Sequence, residues 1–201
     1  MIPKLKQWLT GVAAPEAAPA TTRILMICTG NICRSPTAEG VLRDKLLRAG
    51  LHGRVLVDSA GTQGYHASEP PDARAVRAAA QRGYQIGSIR ARPVRIEDFA
   101  SFDWLLAMDQ THVDWLRKRS PPATASRISL LMPFASRHPG TQDVPDPYYG
   151  GPAGFEHVLD LLEDACEGVV ERLREGQPLQ MPAPPVMSMA SVIAARMRSV
   201  R

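Results

Sequence analysis

The sequence of 201 residues contains little cysteine and no long apolar run. Its three cysteines, Cys28, Cys33 and Cys166, are an odd number without regular spacing, which argues against a secreted domain held by disulfides. No stretch approaches the roughly 18 apolar residues that a membrane-spanning helix needs. The N-terminus also lacks the continuous apolar segment of a signal peptide. We therefore expect a cytoplasmic protein.

Charge of one sign is also scarce once the two ends of the chain are set aside. The formal net charge is +4, of which residues 1–22 contribute +1 and residues 177–201 contribute +3. Residues 23–176 carry 19 basic and 19 acidic side chains. A neutral central segment provides no broad basic surface for nucleic acid, so we predict that none is bound.

The composition divides the chain into three parts. Residues 1–22 form an N-terminal extension, with apolar residues at helical spacing over 2–12 and a linker rich in proline and alanine after it. Residues 23–176 are predicted to form one domain, and residues 177–201 a Pro-rich, basic tail. Two interpretations of the tail stay open: an amphipathic helix over 186–201 that weakly contacts a membrane surface or another protein, or a tail without function.

Short apolar runs alternate with helical patterns through the predicted domain. The patterns predict strands at 23–27, 54–58, 102–108 and 127–132, and helices that follow Pro36 or cover 72–82, 96–100, 111–118 and 155–175. A polar loop over 133–154 precedes the last helix. Such alternation predicts an α/β fold with a mostly parallel four-stranded sheet and helices on both faces. Ligands bind beyond the carboxyl ends of the strands in these folds.

The loop between the first strand and the first helix, Cys28 to Ser35, has the sequence CTGNICRS. A loop in this position turns backbone N–H groups toward one point, beside the positive end of the helix dipole. Gly30 and Asn31 are best able to adopt the left-handed conformations that an anion nest requires. We expect the nest to bind a phosphate dianion, with the planar guanidinium of Arg34 gripping two of its oxygens.

The same loop provides a candidate nucleophile. A helix N-terminus and a nearby arginine both favour the thiolate of Cys28, and Ser35 is placed to donate its hydroxyl to that thiolate. The alternative is a small buried cysteine at a strand end beside a solvated Arg34. The placement of the loop between a strand and a helix that begins near Pro36 favours nucleophilic catalysis.

The run CTGNICRSPTAE from Cys28 to Glu39 resembles the signature of the low-molecular-weight protein-tyrosine phosphatases. Further similarities follow in order: DSAGT from Asp58, PDARA from Pro71, AMD from Ala107 and DPYYG from Asp146. The resemblance covers roughly residues 23–176. It implies a flavodoxin-like fold, hydrolysis of phosphotyrosine and small aryl phosphates without a cofactor, and tyrosine-phosphorylated proteins as substrates. It also implies that the loop residues Thr29, Gly30, Asn31, Ile32, Cys33 and Ser35 bind the substrate or support the loop.

The resemblance assigns the general acid to Asp146. A tyrosyl oxygen has a pKa near 10, so protonating it as the P–O bond breaks lowers the barrier, and the same group can then deprotonate the attacking water. From the residues alone, an aspartate between Pro145 and Pro147 is more typical of a turn than of an acid catalyst, and it is the resemblance that favours the catalytic role. Asp143, in the same loop, is the first alternative acid.

Aromatic and other polar residues complete the predicted site. Tyr65, Tyr148 and Tyr149 are interpreted as walls of a slot for an aryl ring, and His66 as a weak candidate for substrate contact. The other histidines, at 52, 112, 138 and 157, have no metal-ligand spacing and are interpreted as surface residues. Asp109 and Arg92 also stand at positions of the family pattern, where bracing the loop and a catalytic role are both open.

Two cysteines outside the nucleophile position have separate interpretations. The resemblance implies that Cys33 forms a reversible disulfide with Cys28 that protects the nucleophile from irreversible oxidation, and the alternative is a small packing residue. Cys166 lies within the last predicted helix and is interpreted as a core residue.

Two other functions compete with the phosphatase hypothesis. A thioredoxin-coupled arsenate reductase shares the loop and fold, but it needs a further cysteine pair near residues 85–95, and that stretch contains no cysteine. A non-catalytic phosphate-binding module is expected to have lost Cys28, Arg34 or Asp146, and all three are present.

Overall fold

The computed structural model describes residues 21–179. The patterns at 2–12 and 186–201 lie outside these residues. Four strands are formed by β1 (Thr22–Cys28), β2 (Val55–Gly61), β3 (Trp104–Ala107) and β4 (Ile128–Leu130). The α-helices are α1 (Arg34–Arg48), α2 (Ala73–Gln81), α3 (Asp98–Ser101), α4 (Gln110–Arg117) and α5 (Pro152–Arg174), with short 3-10 helices at Pro122–Arg127 and Met132–Phe134.

Each strand and helix predicted within residues 23–176 is present, and the differences are at the ends. The fourth strand is shorter than predicted because the chain turns into the 3-10 helix Met132–Phe134. The last helix begins at Pro152 instead of residue 155, since proline fits a first helical turn, where its missing N–H removes no hydrogen bond. Asp72 caps α2 as predicted, and its side chain accepts a hydrogen bond from the Arg74 backbone N–H.

The four strands form one parallel sheet in the order β2-β1-β3-β4. This topology, with helices on both faces, confirms the predicted flavodoxin-like α/β fold. The chain moves from β1 to one side for β2 and then crosses to the other side for β3. The order therefore reverses at β1, and Cys28, its last residue, lies at the carboxyl end where open α/β sheets bind ligands.

Alternate residues of β1 pack into two separate cores. Ile24 and Met26 belong to the larger core, which includes residues of α1, α2 and α5. Leu25 and Ile27 belong to the smaller core, with residues of α3 and α4. All four side chains are fully buried, as expected for a central parallel strand covered on both faces.

The larger core extends past the predicted end of the domain at residue 176. Leu179 is fully buried within this core, and the Pro178 carbonyl accepts a hydrogen bond from Arg172. A variant that removes the C-terminal tail should therefore retain residue 179. Among residues 21–179, no helix is long and apolar enough to cross a membrane.

Candidate active site

A pocket of about 290 Å³ opens at the carboxyl end of β1. It brings together most of the predicted site residues and one weaker candidate, His66: Cys28, Thr29, Gly30, Ile32, Cys33, Arg34, Tyr65, His66, Asp146, Tyr148 and Tyr149. Two predicted site residues of the loop, Asn31 and Ser35, are fully buried and do not line the pocket. Their side chains instead contact other residues of the loop.

Cys28 is held at the base of the pocket by two polar neighbours. Its Sγ atom lies 3.0 Å from Ser35 Oγ and accepts a hydrogen bond of 3.3 Å from the Asn31 backbone N–H. Arg34 and Ser35 open α1, and the first N–H groups of a helix have no intrahelical acceptor. The sulfur therefore lies among donors that stabilise a thiolate or an anion beside it.

Asn31 stabilises the conformation of the loop. It has a φ of 57°, in the left-handed region, and its side-chain amide donates to Ser35 Oγ and Ser59 Oγ at 2.9 Å each. Its Oδ1 accepts a 2.9 Å hydrogen bond from the Arg92 backbone N–H. The left-handed conformation predicted for Gly30 is wrong, because Gly30 is not among the positive-φ residues. The lack of a side chain at Gly30 instead leaves room for His66, whose Cδ2 would lie 3.1 Å from a Cβ.

A buried hydrogen-bonded chain continues from the sulfur to a carboxyl group. Ser35 contacts Asn31, Asn31 contacts Ser59, and Ser59 Oγ donates to Glu39 Oε2. Burial raises the pKa of Glu39, and the hydrogen bond from Ser59 opposes that shift. Since every member is paired, the chain makes the loop rigid.

Arg34 is buried and links three parts of the site. Its Nη1 donates to Asp109 Oδ2 at 2.9 Å and to the Val144 carbonyl at 3.3 Å. Its Nη2 donates to Asp146 Oδ2 at 2.9 Å and to Thr29 Oγ1 at 3.3 Å. The guanidinium plane is therefore fixed from two sides, with Nη2 beside the pocket.

Asp109 holds Arg34 and also caps α4. Its Oδ1 accepts hydrogen bonds from the His112 backbone N–H at 3.1 Å and from Thr111 Oγ1. Burial of the carboxyl group opposes ionisation, but the contacts from His112 and Thr111 outweigh it and lower the pKa of Asp109 below its usual range. Asp109 is therefore a permanent anion, and the bracing role left open for it is the one its contacts support.

His112 contradicts the prediction that it is a surface residue, because it is 2% exposed. Its Nε2 lies 2.9 Å from Thr29 Oγ1 in the loop, and its Nδ1 lies 3.0 Å from Asp109 Oδ1. The N-cap at Asp109 indicates only that the backbone N–H of His112 contacts the carboxylate, a contact that any residue at the third helical position can make. The partner Thr29 is 83 positions away, which no local pattern indicates.

The loop that carries Asp146 is anchored on the residue that follows β3. The buried Val144 backbone N–H donates to the Met108 carbonyl at 2.7 Å, and Asp146 Oδ1 accepts a 3.1 Å hydrogen bond from the Tyr148 backbone N–H. The Asp146 side chain is 47% exposed and lines the pocket. Asp143 instead accepts a hydrogen bond from the Gln110 backbone N–H at the start of α4 and is not part of the pocket lining.

Three tyrosines surround the mouth of the pocket. Tyr148 and Tyr149 make an edge-on contact with ring centroids 5.0 Å apart, while Tyr149 is 96% exposed and Tyr65 is 78% exposed. The guanidinium of Arg74 lies 5.4 Å from the Tyr148 ring centroid and is paired with Asp72 at 2.7 Å. Tyr148 is therefore braced by Arg74 and Tyr149, whereas Tyr65 and Tyr149 are largely open to solvent.

Arg92 lies outside the pocket lining and supports the loop from behind. It pairs with Asp58 at 2.8 Å and with Asp98 at 2.9 Å, while its backbone holds Asn31. His66, in the pocket lining, lies 2.7 Å from Glu69 through Nδ1. The contacts of Arg92 with Asp58, Asp98 and Asn31 support the interpretation that Arg92 braces the loop.

The two other cysteines are both free and buried in this structure. Burial raises the pKa of Cys33 to about 12, and the negative charges of Asp72 and Cys28 add to the shift. Cys166 lies in α5 and is fully buried in the larger core, as predicted, and burial raises its pKa to about 12. Cys33 lines the pocket next to Cys28, whereas Cys166 does not.

Comparisons with known proteins identify the family to which the chain is similar. The family model described as low molecular weight phosphotyrosine protein phosphatase matches residues 23–179. A low molecular weight protein-tyrosine-phosphatase of Streptomyces coelicolor is 41% identical over 157 residues, covering 77% of this chain and 95% of the relative. A low molecular weight phosphotyrosine protein phosphatase 2 of Drosophila melanogaster is 38% identical over 152 residues, covering 75% and 92%. A crystal structure of a protein tyrosine phosphatase from Entamoeba histolytica superposes with a TM-score of 0.75 at 42% identity, covering 78% of this chain and 99% of that one.

Proposed function

The chain belongs to the low molecular weight phosphotyrosine protein phosphatases, and from this premise we propose that it hydrolyses phosphotyrosine through a phospho-cysteine on Cys28, with Asp146 as general acid and base. The protein is an enzyme of this family, a protein-tyrosine phosphatase, and phosphoproteins are its substrate class. The observation that carries the residue assignment is the pocket itself. It brings together the Cys28 thiol with the Asn31 N–H on its sulfur, the buried guanidinium of Arg34 and the exposed carboxyl group of Asp146.

In the first step, the Cys28 thiolate attacks phosphorus in line with the tyrosyl oxygen. The P–S bond forms as the P–O bond breaks, and Asp146 gives its proton to the leaving oxygen, which would otherwise depart as an anion of pKa near 10. The loop N–H groups and Arg34 stabilise the equatorial oxygens of the transferring phosphoryl group. The products of this step are phospho-Cys28, tyrosine and the Asp146 carboxylate.

In the second step, water attacks phospho-Cys28. Asp146, now a carboxylate, takes one proton from the water as the P–O bond forms and the P–S bond breaks. Inorganic phosphate leaves, the Cys28 thiolate is restored and Asp146 is protonated again. The contacts from Ser35 Oγ and the Asn31 N–H support the thiolate as leaving group.

The depth of the pocket supports an aryl substrate. Cys28 is 3% exposed, so a phosphate must reach down to it past Tyr65, Tyr148 and Tyr149. A tyrosyl ring places its phosphate well beyond the peptide backbone and can pack against these aromatic side chains, whereas the short side chain of phosphoserine holds its phosphate close to the backbone.

The direct test uses para-nitrophenyl phosphate and a phosphotyrosine peptide with purified protein. Cys28→Ser should abolish turnover of both substrates, while inorganic phosphate still binds, because the loop N–H groups and Arg34 remain. Acid quench of the native enzyme should trap phosphate on Cys28. Cys166→Ala, a matched change at a buried cysteine outside the pocket, should keep full activity. Clear residual turnover by the Cys28→Ser variant would show that the covalent mechanism is wrong.

The same preparation should be tested with arsenate and thioredoxin. We expect no arsenate reduction, because no second cysteine pair lies in residues 85–95. Thioredoxin-dependent reduction of arsenate at a rate comparable with phosphatase turnover would contradict the proposal.

A further inference from the structure

Four side chains form a closed ring beside the pocket. Arg34 Nη1 contacts Asp109, and Arg34 Nη2 contacts Thr29. His112 closes the ring, because it contacts the other oxygen of Asp109 and the same hydroxyl of Thr29. The two supports of the guanidinium are thus joined to each other through one buried imidazole.

The hydrogen-bonding capacity of each member fixes the direction of the ring. Arg34 is always a donor, and a carboxylate is only an acceptor. His112 Nδ1 faces Asp109 Oδ1 at 3.0 Å, so a lone pair on Nδ1 would repel the carboxylate, and Nδ1 carries the proton. This contact is mainly Coulombic, since among the described residues Nδ1 has no well-aligned hydrogen-bond acceptor.

With Nδ1–H facing the carboxylate, the Nδ1-protonated tautomer has its lone pair on Nε2. That lone pair accepts the Thr29 hydroxyl proton at 2.9 Å, which leaves the Thr29 oxygen free to accept from Arg34 Nη2 at 3.3 Å. The hydroxyl proton therefore points away from the pocket. In this arrangement Thr29 acts as a support for Arg34 instead of donating to the phosphate.

We infer that His112 is a positioning residue for Arg34, holding the guanidinium through Thr29 on one side and Asp109 on the other. The inference rests on the proposed function, in which Arg34 grips the transferring phosphoryl group. Because His112 is buried and does not line the pocket, it acts only through these two neighbours.

The contact of His112 with Asp109 and its contact with Thr29 can be tested separately by substitution. Asparagine places an amide near the Nδ1 position and keeps a donor toward Asp109, but it is too short for Thr29. Glutamine reaches the Nε2 position and keeps an acceptor for the Thr29 hydroxyl. His112→Asn should lower kcat/KM for para-nitrophenyl phosphate by about tenfold, the scale of a lost hydrogen bond to a charged network, and weaken binding of inorganic phosphate by a similar factor. His112→Gln should show the smaller loss, and His157→Asn, a matched change at an exposed histidine of α5, no loss.

A double-mutant cycle with Thr29 separates positioning from a general packing role. Thr29→Val already removes the hydrogen bond between Thr29 and His112. Adding His112→Asn to that variant should therefore lower kcat/KM by less than about a further twofold, because the two changes act through one contact. A purely structural His112 would cost the same factor in both backgrounds, and that result would overturn the inference.

Two further measurements keep the test decisive. If His112→Asn does not fold, Thr29→Val and Thr29→Ser are compared in the native His112 background. Serine keeps the hydroxyl and should retain phosphate affinity within about threefold, whereas valine should lose about tenfold; equal effects would overturn the inference. Phosphate binding is measured by titration calorimetry, without turnover. A failure of the proposed chemistry, seen as an inactive native enzyme, is therefore distinguished from a failure of the positioning role.

Discussion

Arg34 Nη2 lies 2.9 Å from Asp146 Oδ2, so the guanidinium that is proposed to grip phosphate also holds the proposed general acid. A phosphate dianion in the loop would compete with Asp146 for the same nitrogen. Substrate binding would then release the carboxyl group toward the leaving oxygen. Arg34 stays fixed during this exchange, because Asp109 and the Val144 carbonyl hold its other nitrogen.

Removing the charge of Asp146 should therefore strengthen the binding of inorganic phosphate. Asp146→Asn eliminates a competitor for Arg34 and a negative charge beside the dianion. Since the Asp146 side chain is 47% exposed, the gain should be about two- to fivefold, the scale of a screened ion pair. Titration calorimetry at neutral pH measures it, with Asp143→Asn as the matched control from the same loop. Weaker binding by the Asp146 variant would contradict the competition.

Cys33 should act as a resolving cysteine whose rate depends on pH. Peroxide oxidises the Cys28 thiolate to a sulfenic acid, and the Cys33 sulfur then attacks it, forming the disulfide and releasing water. The thiolate is the attacking form, and burial raises the pKa of Cys33 to about 12. After a brief peroxide pulse ended with catalase, disulfide formation should therefore accelerate by about tenfold per pH unit from pH 6.5 to 8.5.

Mass spectrometry and recovery of activity with dithiothreitol measure this reaction. Cys33→Ser should recover poorly after the pulse, whereas Cys166→Ala should recover like the native enzyme, because Cys166 does not line the pocket. Equal recovery of the Cys33 and native proteins would end the idea of a protective disulfide.

Asp164 should contribute stability that disappears in acid. It is 1% exposed and accepts from the Arg137 backbone N–H at 2.9 Å, with His138 Nδ1 at 2.7 Å. Burial opposes ionisation, but the contacts from His138, Ser136 and Arg137 lower the pKa of Asp164 to about 2. Asp164→Asn should lower the free energy of unfolding at pH 7 by about 1–3 kcal/mol, because it leaves buried donors without a carboxylate.

The sign of the pH dependence follows from the lowered pKa. The contribution of Asp164 is fully present above the unfolded pKa of about 3.9 and is lost as the pH falls through about 2. Urea unfolding should therefore show a constant difference between native and Asp164→Asn proteins from pH 7 to about 5, and a shrinking one toward pH 2. Glu171→Gln, an exposed change on the same helix, should shift stability by less than about 0.5 kcal/mol at all pH values. A difference that grows in acid would contradict the assignment.

Sequence patterns were sufficient to predict structural features whose determining residues are neighbours in the chain. The loop Cys28 to Ser35 could be read as an anion nest because a strand, a glycine, an arginine and a helix start follow one another directly. The pattern could not decide which residue takes the left-handed conformation. Asn31 does so because its side chain has three partners, two of them from β2 and the segment before α3.

Contacts between residues far apart in the chain could not be predicted from sequence patterns. Arg34 and Asp146 are separated by 112 positions, and Thr29 and His112 by 83. Each pair meets only because parallel strands bring their carboxyl ends to one edge of the sheet. The family resemblance led to Asp146, but nothing in it singled out His112, which therefore looked like an ordinary surface residue of a polar helix.

The central claim, that Asp146 protonates the leaving oxygen, is tested most directly by the dependence of rate on leaving-group pKa. Aryl phosphates from para-nitrophenyl to phenyl phosphate should be turned over by the native enzyme in a first step that varies little with the leaving group. Asp146→Asn should slow that step by roughly 10²–10⁴-fold for tyrosine-like leaving groups, the usual contribution of a positioned acid, and far less for para-nitrophenol, which departs readily as an anion. If Asp146 is the acid, the rate depends steeply on leaving-group pKa in the variant and hardly at all in the native enzyme. A loss of the same size for every leaving group would contradict it and make Asp146 a turn residue.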